Sequence, residues 1–252
     1  MTENEARKIM EMATDRGAPL PNIVEYSEAL RKTREVLGSN YTEEQLQNWI
    51  LVGKYPFLMP KYWDREEMRY KIDEDYHYTY TELDAMPKGW RNAFGEMMCE
   101  EIYNALVECG GLDDYMILDI KEKYGSLRWH SSPSYKEVEE IIDKYSVLSE
   151  NICIICGKPD VPMTNNGWIS PYCKKCYTTP SGWYKEEHSD EIDKFIKTHE
   201  EYWEECNKQN NKMIDSYSVH TWSKEKGDET ITYDISETAN KIRAKWRAEH
   251  GE

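Results

Sequence analysis

Apolar residues recur at helical spacing in several stretches of the chain, which predicts amphipathic helices. Local signals predict where these helices begin and end. Thr42 with Gln45, and Ser134 with Glu137, match the capping box, in which the first side chain caps the helix and the second reaches back. Gly110 follows a broad apolar stripe, as expected at a helix end. The predicted helices are 3–16, 27–37, one starting at Thr42, 87–109, 134–148, 186–205 and one that Ser236 caps.

Other stretches alternate between apolar and polar residues, and this alternation predicts β-strands. Residues 115–130 are expected to form a β-hairpin in which Gly125 supplies the special turn geometry. A second hairpin is predicted to join 216–222 to 230–235. The run at 76–80 places tyrosines at alternate positions and predicts a short strand, whose aromatic side chains are expected to pack on a neighbouring element.

Two Cys-x-x-Cys pairs stand sixteen residues apart. A two-residue gap lets both sulfurs of a pair face one ion from a tight turn, and Gly157 tolerates the positive φ that such a turn often needs. Together the pairs supply four thiolates, the closed tetrahedral set of a structural zinc site. Disulfides or four buried thiols are the alternatives. The predicted ligands of Zn²⁺ are Cys153, Cys156, Cys173 and Cys176.

Composition limits the class of protein. The chain has 252 residues, of which 39% are hydrophobic and 32% charged, so it can bury a core. Its net charge of −16 argues against general binding to a phosphate backbone and fits a soluble surface or a basic protein partner. No apolar run reaches the ~18 residues of a membrane span, and the polar start does not match a secretory signal. Seven cysteines, an odd number, fit a reducing cytoplasm, where we expect the protein to reside.

These patterns predict an α+β fold that is mainly helical. Its core is expected to be a helix, a β-hairpin and a helix, with a four-cysteine zinc ribbon or knuckle inserted after them. A helical unit precedes this core, and a helix, a hairpin and a helix follow it. The predicted segments are a helical N-terminal unit at 1–60, an aromatic-rich connector at 61–82, the core with its zinc ribbon at 83–185, and a C-terminal part at 186–252.

Several motifs occur in a characteristic order: Gly-Trp at 89–90, Phe-Gly at 94–95, KEKYGSLR at 121–128, and Gly-Trp-Ile at 167–169 between the two cysteine pairs. In this order they resemble an uncharacterised family of small proteins that are frequent in phages and prophages. The shared features are a helix, a KEK[FY]GxLR hairpin and a split CxxC…GW…CxxC zinc unit. The resemblance covers about 83–176. It implies a fold, a phage context and therefore the cytoplasm of a host cell, but no reaction.

Charged side chains are dense on the first predicted hairpin. One interpretation is a solvated face with cross-strand pairs such as Glu122 with Arg128. Another is an interaction surface for a partner. A third is a phosphate-binding face, to which the ribbon would add Lys158, Lys174 and Lys175. The candidate interaction residues on this hairpin are Lys121, Glu122, Lys123 and Arg128.

Asp119 and Lys121 also form an acid-x-Lys triplet with Ile120. On a strand, this triplet is the core of one type of metal-dependent nuclease, in which the acid binds Mg²⁺ and the lysine steadies the attacking water. Such a site would need further acids nearby, and the candidates are Glu96, Asp113 and Asp114. Acid-x-Lys triplets are common by chance, and no Ser-His-Asp order, phosphate loop or HExxH motif occurs. An enzyme is therefore the less favoured class.

The helix predicted at 186–205 is strongly acidic, with Lys194 and Lys197 as its only basic residues besides histidine. An acidic helix can occupy the basic groove of a partner, and many host defence complexes handle nucleic acid in such grooves. The most concrete expectation is therefore an acidic inhibitor of a host anti-phage defence complex, similar to an anti-CRISPR. A nucleic-acid-binding zinc ribbon and a nuclease stay open as alternatives. The candidate interaction residues on this helix are Glu200, Glu201, Glu204 and Glu205.

Overall fold

The structure is a computed structural model that describes residues 42–72, 78–165, 167–181, 185, 188–209, 212–223 and 227–251, together with 2, 4, 7, 8, 35 and 36. These residues form a mixed α+β fold with small antiparallel hairpins, which confirms the predicted fold class at this level. The helices predicted at 3–16 and 27–37 lie mostly outside the described residues. None of the described helices is both long enough and apolar enough to cross a membrane.

The described elements follow one another in a simple order, with each hairpin closed between consecutive strands. Short 3₁₀ segments cover Pro56–Leu58, Glu82–Ala85 and Ser189–Glu191, and the π turn Arg91–Gly95 joins α2 to α3. The elements are α1 (Glu43–Lys54), β1 (Lys61–Asp64), β2 (Arg69–Ile72), α2 (Lys88–Trp90), α3 (Glu96–Cys109), β3 (Met116–Lys123), β4 (Ser126–Ser132), α4 (Lys136–Ser149), β5 (Met163–Asn165), β6 (Ile169–Pro171), α5 (Lys174–Thr178), α6 (Ile192–Gln209), β7 (Ser216–Ser223), β8 (Gly227–Asp234) and α7 (Ser236–His250).

The main hydrophobic core is built around aromatic side chains that α2, α3 and α4 bury. Trp90 and Tyr145 are fully buried, and the Tyr145 ring stacks on Phe94 at a centroid distance of 5.2 Å. Tyr115 is also buried, and its hydroxyl accepts a hydrogen bond from Trp129 Nε1 at 3.0 Å. Because buried polar groups of aromatic residues need such partners, this pair holds the β3–β4 hairpin against the core. The core also includes residues from 52–58 and from 213–242. The boundaries predicted between the four segments of the chain stay predictions.

The predicted helix ends are partly right. The capping box at Thr42 is confirmed, since the Thr42 hydroxyl accepts from Gln45 N at 3.2 Å and Gln45 Oε1 accepts from Thr42 N at 2.8 Å. Gly110 ends α3 in the left-handed conformation, as predicted. The capping box at Ser134 is wrong: its hydroxyl donates to Glu139, and Tyr135 precedes α4 without a side-chain cap. A Cβ added to Gly111 would lie 2.3 Å from the Tyr135 ring, so the residue that precedes α4 packs tightly against the end of α3.

Two further helix starts differ from the prediction. Ser236 is the first residue of α7 and not its cap; its amide instead donates to the Asp234 carboxylate at 2.9 Å, which satisfies a free N–H of the first turn. The acidic helix begins at Ile192, because the preceding described residues form the 3₁₀ segment Ser189–Glu191. Polar signals in the sequence therefore located these helices to within a few residues but did not identify the capping group.

The tyrosine-bearing strand predicted at 76–80 is not formed by its described part. Tyr78 has φ of 59°, which is incompatible with a strand, and its ring stacks on Trp49 at 5.0 Å. The rest of this prediction, at 76–77, lies outside the described residues. The strands of this region come earlier, in the β1–β2 hairpin, where Trp63 pairs with Tyr70. Sequence inspection missed this hairpin because its side chains are largely exposed and show no apolar face.

The C-terminal helix is tied to the loop after the first cysteine pair by one ion pair. Arg243 Nε and Nη2 donate to the two carboxylate oxygens of Asp160, each at 2.9 Å, and Met213 N donates to the same carboxylate at 3.0 Å. Burial acts to raise the pKa of Asp160, but the hydrogen bonds from Arg243 and Met213 and the guanidinium charge together lower it below its ordinary value. A bidentate contact of this kind holds α7 in a defined orientation.

We expect Asp160→Asn to destabilise the protein by roughly 1–2 kcal/mol at pH 7, because the substitution removes the charge but keeps one acceptor. The folded pKa of Asp160 is depressed, so its contribution is present above the unfolded pKa of about 3.9 and is lost as the pH falls through the folded value. The difference in melting temperature between the two proteins should therefore shrink below about pH 4. Asp215→Asn is the matched control, since Asp215 is largely exposed and lies 3.9 Å from Arg243. Equal effects of the two substitutions would contradict the assignment.

Candidate metal centre

The four cysteines of the two pairs come together in the structure. Their Sγ atoms all lie within 4.8 Å of one another, and those of Cys156 and Cys173 are 3.6 Å apart. Cys153 and Cys173 are buried, whereas Cys156 and Cys176 are half-buried. All seven cysteines of the chain are free, so the disulfide alternative does not describe this arrangement. Four sulfurs that converge on one point could bind a metal ion.

The first cysteine pair lies on a tight turn closed by backbone hydrogen bonds. Cys153 N donates to Lys158 O at 2.8 Å, and Gly157 N donates to Cys153 O at 2.9 Å. Gly157 has φ of 87°, which confirms the reason for a glycine at this position. The turn brings both sulfurs of the pair to the same side, as the Cys-x-x-Cys spacing predicts.

This first turn rests directly on the start of the central helical segment. Gly89 N donates to Ile154 O at 2.9 Å, and Trp90 Nε1 donates to Ile152 O at 2.9 Å. A Cβ on Gly89 would lie 2.1 Å from Cys153 O and 2.6 Å from Ile154 O, so only glycine fits. The contact therefore joins the cysteine turn to the hydrophobic core through Trp90, which is fully buried.

The second pair follows the short β5–β6 hairpin. Cys173 is the N-cap of α5, and its Sγ accepts a hydrogen bond from Cys176 N at 3.4 Å. A thiolate accepts such a bond better than a thiol, so this geometry favours the charged form of Cys173 once a cation is bound. Ile154 N donates to Pro171 O at 3.0 Å, which holds the hairpin next to the first turn.

The acidic helix α6 packs on this second half of the centre. Trp203 Nε1 donates to Tyr172 O at 2.8 Å, and Asn165 N donates to the Tyr202 hydroxyl at 3.1 Å. On the same side, Lys174 Nζ lies 3.0 Å from a carboxylate oxygen of Glu204. Sequence analysis did not predict that α6 contacts the cysteine unit. The available signal was the apolar stripe of this acidic helix, which includes Phe195, Ile196 and Trp203 and predicts that one face packs on another element.

The sulfur cluster has coupled acid–base properties. Hydrogen bonds from the Cys156 and Cys173 thiols lower the pKa of Cys153 to about 2. The same contacts raise the pKa of Cys173, and burial together with the charge on Cys153 raises the pKa of Cys176 to about 12. These opposite shifts arise because negative charge on one sulfur disfavours negative charge on its neighbours. A divalent cation among the sulfurs would favour the thiolate form of every cysteine.

The charged hairpin is arranged differently from the prediction. The β3–β4 register pairs Lys121 with Arg128 and Glu122 with Leu127, so the predicted Glu122–Arg128 pair is wrong. Glu122 instead accepts from Gly125 N at 2.6 Å, which supports the turn. Arg128 donates to Ser146 Oγ at 3.1 Å and to Ser126 Oγ at 3.2 Å, which holds its guanidinium against α4. Lys123 is exposed, and its Nζ atom lies 5.6 Å from the centroid of the Tyr124 ring.

The acid-x-Lys triplet does not belong to an acidic cluster. Asp119 and Lys121 form an ion pair with each other, and both side chains are exposed by more than 40%. Within the described ranges, the four cysteines are the only group of three or more His, Cys, Asp or Glu residues that could hold a metal ion. Glu96, Asp113 and Asp114 therefore do not assemble a Mg²⁺ site with Asp119 in this structure.

The four acidic candidates on α6 divide into two pairs. Glu200 and Glu204 contact Lys174, at 3.7 and 3.0 Å, so part of their charge is used within the chain. Glu201 and Glu205 are exposed, and no ion pair involving them is found in the part of the chain that the structure describes. Among the four candidates, Glu201 and Glu205 are therefore the two that do not contact Lys174.

No protein-family model, curated protein or solved structure matches the chain with statistical significance.

We expect Gly89→Ala to destabilise the protein by about 3 kcal/mol, the upper part of the range for overpacking, because the added methyl group meets backbone that cannot rotate away. Gly95→Ala is the matched control: its nearest neighbours would lie at 3.4 Å or more, and alanine there should be neutral or stabilise the helical segment by about 0.5–1 kcal/mol. Urea unfolding followed by circular dichroism measures both. A tolerated Gly89→Ala would contradict the docking described above.

Proposed function

We propose that Cys153, Cys156, Cys173 and Cys176 hold a structural zinc ion. Tetrahedral Zn–S bonds of about 2.3 Å place neighbouring sulfurs about 3.8 Å apart. The separations here, from 3.6 Å between Cys156 and Cys173 up to the 4.8 Å limit of the group, need little adjustment to reach that geometry. Four protein thiolates complete the coordination of zinc and leave no position for a substrate, so the ion stabilises the fold and does not catalyse a reaction.

We expect the purified protein to contain one zinc ion per chain, measured by inductively coupled plasma mass spectrometry. Cys173→Ser should abolish zinc binding and lower the melting temperature, because a structural zinc site contributes on the order of 10 kcal/mol. Cys109→Ser is the control, since this exposed thiol lies outside the cluster. Chelation that left the circular dichroism and the melting temperature unchanged would contradict a structural ion, and another metal at full occupancy would contradict zinc.

We further propose that the protein acts by binding a basic partner through α6. The observation that carries this proposal is the placement of Glu201 and Glu205: both are exposed on a helix that Trp203 and Tyr202 fasten to the cysteine unit. A charged surface on a rigid support can bind an oppositely charged groove with little loss of conformational entropy. The net charge of −16 adds long-range attraction and speeds association.

The distribution of basic side chains supports a protein partner over nucleic acid. Three of the cations expected on a phosphate-binding face already contact groups of the same chain: Lys121 contacts Asp119, Arg128 contacts Ser146, and Lys174 contacts Glu204. A phosphate backbone would have to displace these contacts. It would also have to approach a protein whose net charge is negative, like its own. This arrangement favours the protein-interaction class over a nucleic-acid-binding ribbon.

The sequence resemblance adds a biological setting to this proposal. A phage-type accessory protein with an acidic helix could occupy the nucleic-acid groove of a host defence complex, as an anti-CRISPR protein does. Charge complementarity then accounts for both the choice of partner and the rate of binding. We therefore propose an acidic inhibitor of a host anti-phage complex, acting in the cytoplasm of the host.

Affinity capture from a bacterial lysate, carried out with and without nuclease treatment, tests this function. We expect the wild-type protein to retain a basic protein or complex, and Glu201→Lys with Glu205→Lys to reduce retention at least tenfold, because the change reverses the charge of the interface. Glu108→Lys with Glu137→Lys is the matched control, since it makes the same charge change at two exposed positions outside α6. If both variants lost retention of the captured protein equally, the binding would depend on net charge and not on α6, which would contradict the proposal. Recovery of nucleic acid alone would also overturn it.

A further inference from the structure

An open cleft of about 400 Å³ lies where the tips of two hairpins meet. The β3–β4 turn contributes Glu122, Lys123 and Tyr124, and the β5–β6 hairpin contributes Asn165, Trp168 and neighbouring residues. This volume falls in the range of small-molecule sites. Neither the metal centre nor the proposed interaction of α6 uses the cleft.

The two tips are locked together, so the cleft is preformed. A Cβ on Gly125 would lie 2.4 Å from Met163 Sδ and 3.4 Å from Ser170 Cα, which shows how closely the β3–β4 turn packs on the β5–β6 hairpin. The Thr164 side chain is buried and donates to Ser170 O at 2.9 Å, which stiffens the second hairpin. The rings at the two tips are therefore held near one another by backbone and not by their own packing.

Tyr124 occupies a turn position that tyrosine rarely accepts. Its φ is 55°, and Gly125 follows with φ of 79°, the pair of positive values typical of a type I′ turn. Asn, Asp or Gly adopts the first of these positions at lower cost, and a bulky residue there is a conformational outlier. The Tyr124 ring gains little packing in return, because 69% of the residue is exposed. Strain of this kind is often retained where a side chain has a function.

Trp168 faces the same cleft from the other tip. It follows Gly167, whose φ of 85° turns the chain, and 66% of the tryptophan is exposed. Like Tyr124, it supplies a large planar ring that the fold leaves uncovered. Two exposed aromatic rings bordering one cleft provide stacking surfaces for a planar ligand.

The polar groups of the cleft define the rest of the ligand. Lys123 brings a cation beside the Tyr124 ring. Glu122 brings a carboxylate, but one of its oxygens is bound to Gly125 N at 2.6 Å, so part of its charge is used within the turn. Asn165 is exposed and adds an amide side chain, and its backbone N–H donates to the Tyr202 hydroxyl. Planar rings, one cation and an amide match the base and the phosphate of a nucleotide.

We propose that this cleft binds a single nucleotide, with the base stacked on Trp168 and Tyr124 and the phosphate next to Lys123. Charge decides between a free nucleotide and a polynucleotide. The Asn165–Tyr202 hydrogen bond brings the acidic helix α6 against the rim of the cleft, where it would repel an extended phosphate backbone. A nucleoside monophosphate, or another small nucleotide, presents a single phosphate group that can stay next to Lys123, so it meets less of that repulsion than a polynucleotide does.

Titration of the full-length protein with AMP, CMP and the oligonucleotide dT15, followed by tryptophan fluorescence and calorimetry, tests the site. We expect the monophosphates to bind more tightly than dT15 at physiological ionic strength. Trp168→Ala should weaken AMP binding about tenfold or more, the effect of losing one stacked base. Trp63→Ala is the matched control, because Trp63 is an exposed tryptophan on the separate β1–β2 hairpin and should leave AMP binding unchanged.

The substitution Tyr124→Asn distinguishes an effect on nucleotide binding from an effect on folding. Asparagine accepts the positive φ of this turn position, so the melting temperature should stay the same or rise while AMP affinity falls about tenfold. Absence of AMP and CMP binding at millimolar concentration would overturn the proposal, as would equal affinity in wild type, Trp168→Ala and Tyr124→Asn. Tighter binding of dT15 than of the monophosphates would make the cleft a single-strand site instead. Loss of lysate protein capture in Trp168→Ala, without any nucleotide binding, would make it a protein contact.

Discussion

The close approach between Gly89 and the first cysteine turn is the contact on which the rest of the structure depends. Because Gly89 has no side chain, the carbonyls of Cys153 and Ile154 can reach the helix start, where Gly89 N and Trp90 Nε1 donate to Ile154 and Ile152. Trp90 is itself at the centre of the hydrophobic core. The cysteine turn is therefore an extension of that core, although the sulfur cluster has only a small apolar shell of its own. A metal ion that closes the turn would stabilise both parts together, because neither can move without breaking these backbone contacts.

The surfaces proposed to act on other molecules both depend on this arrangement. The helix α6 is fastened to the second half of the centre through Trp203 and Tyr202, and the cleft is formed where the β5–β6 hairpin meets Gly125. The two surfaces differ in chemistry. Exposed carboxylates dominate α6, whereas the cleft combines uncovered rings with Lys123. A four-thiolate zinc site, as proposed for the cysteines, would have no open coordination position, so its role would be to support these surfaces.

Local sequence signals predicted the elements well where one short interaction decides the outcome. The Thr42 capping box, the left-handed Gly110 and the turn glycine Gly125 all depend on a few neighbouring residues, and all are confirmed. Predictions that required knowledge of distant neighbours were less accurate. Tyr135 packs closely against Gly111, and Trp203 of α6 donates to the Tyr172 carbonyl next to the second cysteine pair. The β1–β2 hairpin was missed because exposed strands lack the apolar face that identifies a strand in sequence.

The sequence by itself determined which residues can form the metal centre, because Cys-x-x-Cys spacing forces two sulfurs onto one side of a turn whatever surrounds them. It also determined the acidic character of α6 and the mixed α+β class. Only the tertiary structure decided how these parts are used. It brought the two cysteine pairs within 4.8 Å of one another, turned Glu200 and Glu204 towards Lys174, and placed Tyr124 and Trp168 on the border of one cleft. Each of these is a contact between residues far apart in the chain, whose geometry depends on packing against the core and not on any local pattern.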